Sequence, residues 1–116
     1  MTIPWDLSPD GSQVVMTREG RIRLLSLKSG TTTELAVKGW DSFWEVDWSA
    51  DGNALFVSSQ TPDGATLLRV NLEGEARALW HQKVNLEAKG IPSPDGRHLA
   101  MAGWTTDSNA WMIEGF

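Results

Sequence analysis

Aspartates, histidines, one pair of close carboxylates and several tryptophans are the side chains of this sequence that could do chemistry. Asp10, Asp51 and Asp95 each stand third in a recurring tetrapeptide, and could be proposed as acids or metal ligands. The turn that such a tetrapeptide forms accounts for them, because Asp hydrogen-bonds within turns of this kind. One aspartate per repeat also implies wide separation in space. We therefore expect neither a metal site nor an acid–base pair from these residues.

Glu45 and Asp47 are two residues apart in a segment rich in β-forming side chains. Side chains at this spacing share one face of a strand and could line a central channel. Paired carboxylates can transfer protons or bind a cation. No nucleophile accompanies the pair, so we favour solvated, channel-lining carboxylates over a catalytic pair.

The remaining titratable groups form no catalytic pattern. The two histidines, His81 and His98, belong to no triad and no metal-binding motif. The absence of Cys excludes disulfides, thiolate metal sites and a cysteine nucleophile. We expect no catalytic residue, no metal and no cofactor, and hence a protein that is not an enzyme.

Charge and composition narrow the classes of partner. Ten Lys and Arg against fifteen Asp and Glu give a net charge of −5, without a basic cluster, so nucleic-acid binding is not expected. No apolar run approaches the roughly 20 residues that span a bilayer, and the start of the chain resembles no export signal. We expect a soluble protein of the cytoplasm or periplasm. The 41% apolar content, with seven Trp, is enough for a packed core.

A tetrapeptide that begins with Ser and ends with Asp-Gly occurs three times, and we call it the turn motif. Its copies cover 8–11, 49–52 and 93–96, so they begin 41 residues (8 to 49) and 44 residues (49 to 93) apart. An apolar segment follows each copy in the same register. Pro presets the second turn position and Gly accepts positive φ at the end, so each motif should join two antiparallel strands.

Short β-forming segments around these turns predict three units of a four-stranded antiparallel meander, the last without its outer strand. Their bounds are about 3–37, 43–80 and 87–116. The second strand of each unit (13–18, 54–59 and 98–103) should be buried on both faces, and Pro92 should make the third inner strand irregular. No segment has a sustained helical period, so we expect an all-β chain built of β-propeller blades.

The turn motifs, each after an inner strand, resemble those of TolB-like β-propellers, relatives of the WD-repeat family. The resemblance covers essentially the whole chain. It implies a bacterial interaction platform, or a sensor-like domain of the kind attached to kinases and transcription regulators. Ala50 departs from the pattern by replacing the Pro of the second motif.

The loops at the end of the blades opposite the turn motifs are longer and richer in Trp and His. Loops on a rigid scaffold commonly carry function, so we place the candidate ligand-binding residues there: Trp40, Trp44, His81 and Trp104. The alternative is that the tryptophans fill gaps between blades, where their N–H finds a partner. The sequence alone favours this structural role for them.

Propellers close into rings of about four to eight blades, so just under three blades cannot close a usual ring alone. The open blade faces should be apolar and should associate. We expect a homo-oligomer, most simply a dimer that completes a six-blade ring. The rival is the C-terminal fragment of a longer chain.

The predicted function is a non-catalytic recognition or scaffold module that binds a protein, a peptide or a small ligand. One alternative is a fragment of a propeller-containing hydrolase or lyase, because similar propellers gate or bear active sites in certain peptidases and sugar-acid lyases. In that case most active-site residues would lie outside this chain. Another is a chain without a biological ligand, made to study ring assembly.

Overall fold

The computed structural model describes residues 3–62, 64–82, 88–103 and 109–114, which form three antiparallel sheets. Blade 1 contains β1 (Trp5–Leu7), β2 (Gln13–Arg18), β3 (Arg21–Ser26) and β4 (Thr32–Leu35). Blade 2 contains β5 (Phe43–Trp48), β6 (Ala54–Thr61), β7 (Gly64–Asn71) and β8 (Ala76–Gln82). Blade 3 contains β9 (Ala88–Pro92), β10 (His98–Gly103) and β11 (Asn109–Glu114). The predicted all-β fold of propeller blades is confirmed.

Each sheet is a meander in which consecutive strands are neighbours, so all its connections are local hairpins. Within the described ranges the chain forms no helix, and hence none long and apolar enough to cross a membrane. Residue 104, one of the candidate ligand-binding positions, lies outside the described ranges, as does the rest of its loop, 105–108.

The three turn motifs fold in the same way, and each starts the second strand of its blade. In the first, Gly11 N donates to Ser8 O at 2.9 Å, and Ser8 Oγ donates to Asp10 Oδ1 at 2.7 Å. The Ser8 hydroxyl also accepts from Gln13 N at 3.0 Å, at the first residue of β2. The same bonds recur in the second and third copies. This network explains why the tetrapeptide predicts the strand starts so well.

The link from blade 1 to blade 2 passes very close to the turn between β7 and β8. Lys38 N donates to Gly74 O at 2.9 Å. Gly74 has φ +87°, and a Cβ on it would lie 2.1 Å from the carbonyl oxygen of Ala36. Only glycine fits this approach, because any side chain would collide with the backbone of the link.

Two apolar cores lie between the blades. The first joins blades 1 and 2 and includes Val15 and Ile22 from blade 1, together with Trp48 and Leu55 from blade 2. The second joins blades 2 and 3, where Leu99 packs with apolar residues of β6 and β7. Blades 1 and 2 therefore each bury one face of their sheet against the next blade, as a propeller requires.

Two expectations about individual strands need correction. β6 is buried on both faces from Ala54 to Ser59 as predicted, but in β2 only Val15 and Thr17 are buried, because the other face of blade 1 is uncovered. In β10 the prediction also fails, since Leu99 is buried but Ala100 is exposed on the uncovered back face of blade 3. The ladder between β9 and β10 has no register shift at Pro92. β9 is an edge strand, where a missing N–H is tolerated.

Candidate functional site

Blade 2 is joined to blade 1 by polar contacts as well as by the apolar core. Asp6, on β1, accepts a hydrogen bond from Trp48 N at 2.8 Å, and its backbone oxygen accepts from Trp48 Nε1 at 3.2 Å. The Thr17 hydroxyl donates to the carbonyl oxygen of Trp44, and Phe43 N donates to Gly20 O at 2.9 Å. The inner strand of blade 2 is thereby held in one position against blade 1.

The same packing is repeated between the other pair of blades. β5 contacts β1, β2 and β3, whereas β9 contacts β5, β6 and β7. In both cases the inner strand of one blade lies across the first three strands of the preceding blade. We call the side of a blade that faces the preceding blade its front face, and the opposite side its back face.

The front face of blade 1 has no blade against it among the described residues. It consists of six side chains that occupy the same ladder positions as six front-face residues of blade 2. The pairs, with blade 1 first, are Trp5 and Val46, Leu7 and Trp48, Val14 and Leu55, Met16 and Val57, Arg23 and Leu68, and Leu25 and Val70. Five of the six blade 1 residues are apolar.

Exposure separates the two front faces sharply. Trp5 is 64% exposed and Leu7 44%, whereas Val46 and Trp48, at the same positions in blade 2, are 1% and 4% exposed. Blade 1 thus presents to solvent an apolar surface that blade 2 buries completely. Large exposed apolar patches of this kind mark association sites.

Arg23 is the polar exception on this face. It stands where blade 2 has the fully buried Leu68. Within the described part of the chain, its Nε is buried and has no hydrogen-bond partner. Sequence reasoning did not single out Arg23, Trp5 or Leu7, because the ladder register is needed to place all three on one uncovered face.

The back face of blade 3 is the surface at the other end of the arc. Ile91 and Ala100 are cross-strand partners there, and both are exposed, Ile91 by 49%. The corresponding pair in blade 1, Asp6 and Val15, lies against blade 2. Blade 3 therefore places an apolar side chain where blade 1 has the carboxylate that accepts from Trp48.

The three described candidate ligand-binding residues take different positions, Trp40 in the link before β5 and the other two on blade 2. Trp40 is partly buried and packs against the first core, as a residue that fills a gap between blades would. Trp44 is 51% exposed on the inner strand β5. His81 is exposed on the outer strand β8, and its Nδ1 is 2.7 Å from the Thr66 hydroxyl. Three strand spacings, about 14 Å, separate β5 from β8, so the structure does not bring Trp44 and His81 together.

The candidate channel-lining residues lie on β5, at a local irregularity. The ladder with β6 shifts register between Phe43 and Val46, and Glu45 lies within this irregular segment. Glu45 and Asp47 are both half-buried, and Glu45 N donates to the Ser58 hydroxyl at 2.9 Å. Within the described ranges, no group of three or more His, Cys, Asp or Glu residues could hold a metal.

The turn motifs form a continuous row along one end of the blades. A Cβ on Gly52 would lie 3.6 Å from Pro9 of the preceding motif, and one on Gly96 would lie 3.6 Å from Ala50. Asp51 and Asp95 border one cleft of about 320 Å³, together with Arg69. Asp51 and Asp95 thus belong to adjacent motifs that border the same cleft.

The carboxylates of the turn motifs nevertheless accept hydrogen bonds within their own turns. Hydrogen bonds from Ser12 and Ser8 lower the pKa of Asp10 to about 2. The pKa of Asp51 is lowered by the Ser49 hydroxyl, then by Asn53 N, with a smaller effect of the Arg69 charge, while partial burial opposes them. The pKa of Asp95 is lowered in the same way by Ser93 and Arg97 N. These bonds explain the aspartates as structural residues.

Comparison with known proteins identifies this arrangement of blades from solved structures. The sequence matches no protein-family model and no curated protein sequence. Among solved structures it is similar to a putative TolB from Agrobacterium tumefaciens, with a TM-score of 0.81 and 19% identity over 97% of this chain. TolB from Acinetobacter baumannii gives a TM-score of 0.75 at 19% identity over 98% of this chain. A chain of a nidogen/laminin complex gives 0.75 at 18% identity over 97% of this chain.

These similarities define the fold. The chain has the fold of a TolB-like β-propeller fragment, and it spans 42% of the Agrobacterium chain, 30% of the Acinetobacter chain and 43% of the chain from the nidogen/laminin complex. Other similar structures include a hydrazine synthase and two putative 6-phosphogluconolactonases, so the fold is shared by enzymes and non-enzymes.

Proposed function

We propose that this chain is a non-catalytic propeller scaffold that completes its ring by self-association and binds a protein, a peptide or a small ligand. The observation that carries the proposal is the uncovered front face of blade 1. Its apolar residues, above all Trp5 and Leu7, occupy positions that are buried in blade 2. Two copies supply six blades, which is within the range of closed propellers.

The energetics of the open face support association. Burying a side chain such as Leu stabilises a contact by about 1.5 to 3 kcal/mol relative to exposure. Association costs an estimated 4 to 15 kcal/mol in lost freedom of motion. The five apolar residues of the front face can offset this cost, because a closed dimer buries the face once in each copy.

The ligand would bind at the loop-bearing end, opposite the turn motifs. Trp44 supports this placement, because a half-exposed aromatic side chain on an inner strand offers an anchor beside the channel of a closed ring. His81 adds an exposed polar group at the outer strand of the same blade. Glu45 would add a half-buried carboxylate near this anchor, whereas Asp47, paired with Phe56, lies on the back face of blade 2 towards blade 3.

Light scattering coupled to size exclusion, run over a range of protein concentrations, tests the proposal. We expect a particle of twice the 12.8 kDa chain mass at micromolar concentration, with monomer appearing on dilution. A folded 12.8 kDa monomer at all concentrations would refute self-association. Quenching of Trp44 fluorescence by a bound peptide or small molecule, lost in Trp44→Ala, would test the binding end.

A further inference from the structure

We infer that the front face of blade 1 receives the back face of blade 3 of a second copy, in the register that joins blades 1 and 2 within the chain. The inference rests on the self-association proposed above, and it states which surfaces meet. The internal boundary between blades 1 and 2 supplies the geometry, because it already joins a front face to a back face. The partner is thus a second copy of this chain, arranged head to tail.

The first support is the set of strands that the contact needs. At both internal boundaries the inner strand lies across the first three strands of the preceding blade. An inner strand β1 in the same arrangement would lie across β9, β10 and β11. Blade 3 provides these three strands in one sheet. The packing of an inner strand across three strands can therefore be repeated between two copies, because blade 3 contains the three strands that it requires.

The second support is the chemistry of the two surfaces. At the internal boundary, Asp6 accepts from Trp48 N. At the boundary between copies, Ile91 takes the position of Asp6 and Leu7 takes that of Trp48. Both are large, apolar and exposed, by 49% and 44% respectively. An apolar side chain of one copy thus meets an apolar side chain of the other, which suits a contact between two copies of an acidic chain.

The third support comes from the row of turn motifs. Gly52 and Gly96 each lie beside the second residue of the preceding motif, Pro9 and Ala50 respectively. Among the described residues, nothing lies within 4 Å of the corresponding position on Gly11. In a head-to-tail dimer, the exposed Pro94 of the second copy would fill this place. The same packing step would then continue the row from one copy to the next.

Disulfide cross-linking tests the predicted register. Because the sequence contains no cysteine, only the introduced thiols can form disulfides. In the double variant Leu7→Cys plus Ile91→Cys, positions 7 and 91 of different copies should lie within bonding distance, since their internal equivalents are joined by the bond from Trp48 N to Asp6. We expect mild oxidation to yield a covalent dimer linked between positions 7 and 91, identified by peptide mass spectrometry.

Three matched controls separate this arrangement from its rivals. Leu7→Cys alone would cross-link only if two front faces meet, and Ile91→Cys alone only if two back faces meet. Lys28→Cys plus Ile91→Cys places one thiol on an exposed turn and should give no dimer above the background of random collision. Efficient cross-linking of either single variant, or none of the double variant, would overturn the inference. A wild-type dimer in light scattering would still uphold self-association in that case.

A mixing experiment tests the head-to-tail contact independently and without introduced disulfides. Leu7→Glu breaks every front face and Ile91→Glu every back face, so each variant alone should be monomeric. Both positions are exposed in the single chain, so both variants should fold. An equimolar mixture retains one intact front face and one intact back face, and we expect an open dimer containing one copy of each. A mixture that stays monomeric, or an Ile91→Glu variant that remains dimeric alone, would contradict the head-to-tail contact.

Discussion

The bond between Asp6 and Trp48 should contribute measurably to stability, because it is one of the polar contacts that hold β5 against blade 1. Trp48 is only 4% exposed, and its backbone N–H donates to Asp6 Oδ2 at 2.8 Å. In Asp6→Ala this buried N–H loses its acceptor, which costs about 1 to 3 kcal/mol. Asp6→Asn keeps an acceptor oxygen and should cost less than about 1 kcal/mol. The bond from Trp48 Nε1 goes to the backbone oxygen of Asp6, so neither variant removes it.

Urea unfolding at one fixed protein concentration, followed by Trp fluorescence and far-UV circular dichroism, measures these differences in the free energy of unfolding. Glu34→Ala is the matched control, since it removes a carboxylate whose ion pair with Arg21, at 3.2 Å, is exposed. Such a pair contributes at most about 1 kcal/mol. Asp6 lies on the back face of blade 1, so its loss leaves the proposed contact between copies intact. Equal stability of Asp6→Ala and Glu34→Ala would refute the reasoning.

Three further predictions concern the turns and the second core. Gly74→Ala should destabilise the fold far more than Gly30→Ala, because the new Cβ would meet Ala36 O at 2.1 Å, whereas the position at Gly30 is open among the described residues. Thermal unfolding of both variants measures the difference, and equal losses of stability would contradict this prediction. Leu99→Ala should cost about 2 to 5 kcal/mol in urea unfolding, since Leu99 is fully buried between blades 2 and 3, and a loss below about 1 kcal/mol would count against that core. The pKa of Asp10 is about 2 in the folded chain against an ordinary 3.8, so its contribution to stability is present above pH 4 and is lost as the pH falls towards 2. Asp10→Asn should therefore show a smaller decrease of the urea midpoint between pH 4 and pH 2 than the wild type, and an equal decrease would contradict this pKa.

The sequence predicts the blades well because their signals are local. Each turn motif contains the Ser, Asp and Gly that close its own turn, so strand starts at Gln13, Ala54 and His98 follow from four adjacent residues. The ends of strands depend on more distant contacts. β6 ends at Thr61 and β7 begins at Gly64, and these two residues still pair in the ladder. The hairpin is therefore tighter than the sequence indicates.

The candidate surfaces depend mainly on tertiary register, which local sequence patterns specify only in part. The bond between Asp6 and Trp48 joins residues that no local pattern relates, and the register shift that encloses Glu45 leaves no mark in the spacing of apolar residues. A signal for the open front face did exist. Trp5 and Leu7 alternate with Asp6 in a short strand, and comparison with the ladder positions of blade 2 would have identified them as uncovered core residues.

Small-angle X-ray scattering at increasing protein concentration tests the central claim most directly, because it reports the size and shape of the particle in solution. The single chain has a Cα radius of gyration of 13.5 Å. A compact ring of two copies should give about 17 Å, with twice the forward scattering per chain. A radius that stays near the value of the single chain, with the scattering of one copy, would contradict a ring completed by self-association.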